Sequence, residues 1–148
     1  MNHSISRALS ACAVALALAA CASEKDTGPT FNRNESPTVF LVQGAPATAV
    51  MDALFQGRVT RDVRGCLRLD HQGDRHTVVW PHGFTIVERD GELFVKDAAG
   101  SDVGQVGGSF RFGGGEIPAL HEGINLSAES RQLAESRCPG RYWIVGEV

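Results

Sequence analysis

Residues 53–70 constrain the fold more than any other segment. Val59, Val63, Leu67 and Leu69 are interleaved there with Arg58, Arg61, Arg64, Arg68 and Asp70. The apolar residues fall on one parity and these charges, Arg61 excepted, on the other, the pattern of a strand with one face buried; a helix would repeat them at about 3.6 residues. Read this way, 53–70 is one long strand that bends at Gly57 and Gly65, where a missing side chain tolerates a bulge.

The segments that follow have the same character. His71-Gln72-Gly73-Asp74 reads as a turn, Thr77-Val78-Val79-Trp80 as a strand, and Pro81-His82-Gly83 as a kink leading into Phe84-Thr85-Ile86-Val87. Asp90-Gly91 predicts a tight hairpin, because both residues tolerate the positive φ of a type I′ turn. Leu93-Phe94-Val95 is its return strand, Ala98-Ala99-Gly100 turns again, and residues 103–117 form a glycine-rich strand around Ser109-Phe110-Arg111-Phe112. One segment has helix chemistry. Ser127 suits an N-cap, Glu129 lies in the first turn, Arg137 near the end, and Pro139-Gly140 stops the helix before the last strand, Tyr142-Trp143-Ile144-Val145. The chain is therefore expected to be mainly β: a small, partly open OB-like barrel with one short helix before the last strand, a β-sandwich being the alternative.

At the N-terminus, Arg7 precedes an apolar run over residues 11–20, no acidic residue appears before Glu24, and the run ends in Leu18-Ala19-Ala20-Cys21. A run this short falls below the roughly 20 apolar residues that span a bilayer. The pattern resembles the lipobox of bacterial lipoproteins. That resemblance implies cleavage before Cys21, diacylglycerol on its sulfur and acylation of the new amino group, with the outer membrane favoured in a two-membrane host because Ala22 follows. It divides the chain into a signal peptide at 1–20, a polar, flexible tether at 21–37 and a domain at 38–148. Thr38-Val39-Phe40-Leu41-Val42-Gln43 is either an added edge strand or the ordered end of the tether. Further along, Gly65-Cys66-Leu67, Val79-Trp80-Pro81, Val103-Gly104, Gly113-Gly114-Gly115-Glu116 and Cys138-Pro139-Gly140 resemble landmarks of small bacterial lipoproteins with an OB-like domain. They bring no catalytic residues with them.

Removing residues 1–20 takes only Arg7 from the 14 Lys and Arg and none of the 17 Asp and Glu, which moves the formal net charge from -3 to -4. A general nucleic-acid partner is not indicated by that balance. The same cleavage discards Cys12 and commits Cys21 to lipid, leaving Cys66 and Cys138 as a pair in an oxidising compartment. They are expected to form a disulfide.

Sites are harder to read. Asp70, His71, Asp74, His76 and His82 gather around one hairpin, with His121 distant, and are weak metal candidates because no HxH or HExxH spacing makes them converge. Arg58, Arg64, Arg68 and Trp80, with Phe84 and Trp143, could line a groove for an anionic glycan or peptide; the competing view makes the arginines a solvated face and the aromatics core. Gly113-Gly114-Gly115-Glu116 runs into Ile117-Pro118, not into a helix, so it reads as a turn or bulge and not as a phosphate loop. Glu116 and Asp102 have nothing to pair them as catalytic carboxylates, and no Gly-x-Ser-x-Gly elbow is present. The sequence thus predicts a noncatalytic, lipid-anchored envelope domain with no cofactor, touching the membrane through its anchor and an envelope protein or glycan through its domain. A periplasmic metal-binding or stress-sensing lipoprotein is second, an envelope hydrolase third.

Overall fold

A computed structural model describes residues 36–48, 51–146 and 148; the boundary at residue 21 and the body of the tether lie outside them. The described residues form nine strands and one helix: β1 (Leu41–Val42), β2 (Ala53–Arg61), β3 (Leu67–His71), β4 (Asp74–Trp80), β5 (Thr85–Arg89), β6 (Glu92–Lys96), β7 (Asp102–Gln105), β8 (Ser109–Ile117), α1 (Ala128–Arg137) and β9 (Arg141–Val145).

Strands β4, β3, β2, β8 and β9 are neighbours in that order, and a further β4–β9 pairing joins the ends into a ring. All of these pairings are antiparallel except β4–β9, which is parallel. This is a small OB-like barrel, closed more completely than the partly open form expected. A sandwich of two facing sheets is excluded, because a single sheet closes on itself.

The long bent strand is corrected. Residues 53–70 are two antiparallel strands, with Val59 opposite Leu69 and Arg61 opposite Leu67. The reversal is held by Asp62, whose Oδ1 accepts the backbone N–H groups of Arg64 and Cys66, each at 2.9 Å. Gly65 belongs to this turn, not to a bulge: its φ is 86°, and a Cβ there would lie 2.1 Å from the Pro37 carbonyl oxygen. The glycine-rich segment likewise divides, into β7 and β8. Elsewhere the local signals hold. Asp90 and Gly91 both have positive φ at the β5–β6 hairpin, and Ser127 caps α1 by accepting the Ser130 N–H.

Two apolar clusters fill opposite faces of the barrel wall. Inside lie Phe55, Leu67, Leu69, Val78, Trp80, Phe112, Trp143 and Val145. Outside, Val39, Leu41, Cys66, Val79, Ala134, Cys138 and Tyr142 pack β1 and α1 against the wall. Cys66 and Cys138 are bonded, with Cα atoms 5.8 Å apart, so the bridge ties the end of α1 to the start of β3. The last strand does not reach the first strand of the barrel through this bridge, as a simple closure would suggest; β9 pairs with β4 and β8 instead. Residues 38–43 take the edge-strand option, since β1 adds in parallel to the end of β4.

The β5–β6–β7 meander forms a separate three-stranded sheet. Its Val95, with Phe84, Ile86, Val103 and Val106, joins the inner cluster. Gly104 lies flat beneath the Phe110 ring, and the Gly107 N–H donates to the Val59 carbonyl at 2.7 Å. The meander thus covers the barrel beside Val59 and Trp80. The opposite end, where β3 meets β4, is lined by different chemistry.

Candidate functional site

The apolar filling of the barrel gives way to polar groups at the β3–β4 hairpin end. Strand alternation explains which groups point inward. Leu69 lies opposite His76 and His71 opposite Asp74; His76 is level with Arg141 in β9; and Glu116 of β8 is opposite Trp143. Since paired residues share a face, His71, Asp74, His76, Glu116 and Arg141 ring one mouth above the buried Leu69 and Trp143.

The His76 side chain has no exposed surface, and its Nε2 lies 2.9 Å from Glu116 Oε2. Its Nδ1 lies 3.1 Å from the Asp74 carbonyl oxygen. Both partners are acceptors, so a neutral imidazole with one N–H donates to only one of them at a time. Arg141 Nη1 stands 3.3 Å from Asp74 Oδ2 and 3.6 Å from Glu116 Oε1, and all three side chains are about half exposed. His71 meets the Trp143 ring edge-on, with centroids 4.8 Å apart. Trp143 Nε1 is buried without a hydrogen-bond partner among the described residues, a state it shares only with Trp80 Nε1. A Cβ at Gly114, the inward position two residues before Glu116, would lie 2.6 Å from Trp143 Nε1 and 2.2 Å from the Ile144 carbonyl oxygen. Glycine at 114 is therefore what lets the indole lie across the barrel.

The sequence picks out His71, Asp74 and His76, and the structure places them at one mouth. It does not bring in the rest. His82 Nδ1 lies 3.2 Å from the Gln43 carbonyl, beyond the far end of β4. His121 accepts the Gly123 N–H in the exposed loop before α1. Asp70 points away from the barrel and pairs with Arg75 at 3.7 Å. Among the described residues, no three His, Cys, Asp or Glu side chains are arranged to hold a metal ion. Of the candidates at the mouth, His76 is hydrogen-bonded to Glu116 and lies against the Asp74 carbonyl, Asp74 is ion-paired with Arg141, and His71 packs on Trp143.

The arginine groove is corrected as well. Trp80 is fully buried inside the barrel, and Phe84 and Trp143 are core residues. Arg68 points outward but is covered: its Nε donates to Asp62 Oδ2 at 2.9 Å, and Nη1 donates to Thr77 Oγ1. Arg58 is exposed on β2, opposite Ser109, and Arg64 is exposed in the 62–66 turn. These four residues occupy the core, a covered face, a strand and a turn, so they line no common groove. Asp102 is also remote in its chemistry from Glu116, since it binds Arg89 and Lys96 within the meander, each at 2.8 Å.

OB-like barrels commonly bind extended ligands on the outer face of their second and third strands, which correspond in order to β3 and β4 here. In this chain that face carries β1, α1 and the disulfide. The usual platform is occupied by the protein itself.

Arg141 is the mouth residue that sequence reasoning passes over, and Glu116 is weighed there only beside Asp102, never with the histidines. A signal exists for both. Phe110, Phe112, Gly114 and Glu116 share one parity, as do Arg141, Trp143 and Val145, so each polar residue extends a row of core positions. What the rows cannot supply is the pairing that sets Glu116 beside His76. Comparison with protein-family models, curated proteins and solved structures finds no match to the chain.

Proposed function

We propose that this chain is a lipid-anchored cell-envelope lipoprotein whose OB-like domain acts as a noncatalytic binding or structural module. The bond between Cys66 and Cys138 carries this reading. Disulfides persist in oxidising compartments, and the two cysteines left after cleavage at a lipobox and lipidation of Cys21 are the two that are joined. A single acyl chain binds a bilayer only marginally, whereas the two or three implied at Cys21 hold it durably. The partners of such a protein are the membrane, through the anchor, and an envelope protein or glycan, through the domain. In a host with two membranes it faces the periplasm from the outer one.

Labelled palmitate tests the anchor directly. Expressed in a bacterium, the full chain takes up label and partitions into detergent; Cys21→Ser abolishes uptake and leaves an uncleaved or soluble product. Wild-type protein that takes up no palmitate, or that remains wholly in the aqueous phase, refutes the proposal.

A further inference from the structure

We infer that the mouth ringed by His71, Asp74, His76, Glu116 and Arg141 is a binding site for a neutral, hydroxyl-rich ligand, a saccharide segment. This deepens the binding reading above and rests on it. The first ground is where unused hydrogen-bonding capacity collects. Among the described residues, the Arg141 guanidinium makes two ion pairs, at 3.3 and 3.6 Å, but no hydrogen bond, the second distance lying beyond hydrogen-bond range. His71 makes ring contacts with Phe55, His76 and Trp143 and no hydrogen bond among the described residues. Beneath them lies the Trp143 N–H, without a hydrogen-bond partner among the described residues. Burying a polar group without a partner is costly. Trp80 has the same deficit, but it lies under the meander; Trp143 lies under the polar mouth.

The second ground is the sign of the charges. Asp74 and Glu116 flank Arg141, so an anion entering the mouth meets two carboxylates and a cation meets the guanidinium. A hydroxyl group both donates and accepts. Vicinal hydroxyls can therefore accept from Arg141 and His71 while donating to the outer lone pairs of Asp74 and Glu116, with no like charge opposing them. Trp143 is fully buried and offers no stacking face, so recognition is polar and made at the edge of the ring of side chains.

The test uses the full chain in detergent micelles, isotope-labelled and assigned, and follows the two indole N–H resonances. Tetramers of N-acetylglucosamine, glucose and mannose are titrated separately, with inorganic phosphate and trilysine as charged comparators. At least one tetramer is expected to move the Trp143 indole and the His71 amide saturably while the Trp80 indole stays in place. Arg141→Gln and Glu116→Gln are each expected to weaken that binding by about tenfold or more, and Arg141→Gln, whose ion pairs join half-exposed side chains, does so without altering the melting temperature. The inference is overturned if no tetramer moves Trp143, if phosphate or trilysine moves it as far, or if the variants bind like the parent. Palmitate uptake is read independently: a lipidated chain that ignores every tetramer refutes this site and leaves the anchor standing.

Discussion

Replacing Cys66 and Cys138 together by alanine lowers the unfolding free energy by about 2–5 kcal/mol and loosens α1 and β1 before the barrel itself opens. The bridge closes a loop with a sequence separation of 72 residues. In the chain-entropy model a loop of that length destabilises the unfolded state by roughly 4 kcal/mol. The folded state loses as well, because both sulfurs are fully buried in the outer cluster with Val39, Leu41 and Tyr142. Around the bridge, Arg137 Nη2 donates to the carbonyls of Arg64 and Pro37, at 2.6 and 3.1 Å. The disulfide therefore anchors three things at one point: the end of the helix, the 62–66 turn and the entry of the chain into the domain. Denaturant unfolding gives the magnitude, and hydrogen exchange gives the order. An unchanged midpoint, or exchange that accelerates equally inside the barrel and in α1, contradicts this account.

Much of this architecture was legible because it depends on neighbours in sequence. Asp90-Gly91 reverses the chain through its own backbone preferences, and Ser127 caps α1 with its own hydroxyl. The cysteine pair is expected from the count that the lipobox resemblance leaves and from the compartment it implies. The 62–66 turn was hidden for a specific reason. Val59 pairs with Leu69 and Arg61 with Leu67, so both arms of the hairpin place odd-numbered residues inside the barrel. The alternation consequently runs through the reversal without a change of phase. Val63 fits that pattern yet is 90% exposed at the turn.

The mouth was half legible for a related reason. His71, Asp74 and His76 lie within one hairpin and were visible together, whereas Glu116 reaches His76 across 40 positions and only through the register of β8, β9 and β4. The arginine row failed on the same account. Alternation assigns a residue to a face, but whether that face meets solvent depends on α1, more than 50 residues away from Arg68 in the chain.

Arg68 supplies the second large effect: Asp62→Ala destabilises the domain by about 3–5 kcal/mol, the usual cost of leaving a buried charge without its partner. The Arg68 and Asp62 side chains are only 7% and 14% exposed. Among the described residues, the Asp62 carboxylate accepts three hydrogen bonds, from Arg64 N, Cys66 N and Arg68 Nε, each at 2.9 Å. Arg68 in turn donates to Thr77 Oγ1, which donates to the Cys138 carbonyl at 3.3 Å. One carboxylate thus organises the turn and, through Arg68 and Thr77, the backbone on both sides of the disulfide. Adding Arg68→Met to Asp62→Ala should recover much of the loss, since an apolar side chain needs no counter-charge. The pH dependence follows from the same contacts. Burial pulls the Asp62 carboxyl upward, but the Arg68 and Cys66 hydrogen bonds, the Arg68 charge and the Arg64 amide together hold it below its ordinary value of 3.8. A carboxyl depressed in the folded state contributes its full stabilisation above its unfolded value and loses it as pH falls through the folded one. The stability gap between the parent and Asp62→Ala should therefore be constant near neutrality and narrow as the pH falls below the ordinary carboxylate value. Denaturant titrations from neutral to acid pH measure that gap directly; one that stays constant through the acid range, or a double variant no more stable than Asp62→Ala, removes Asp62 from its place at the centre of this network.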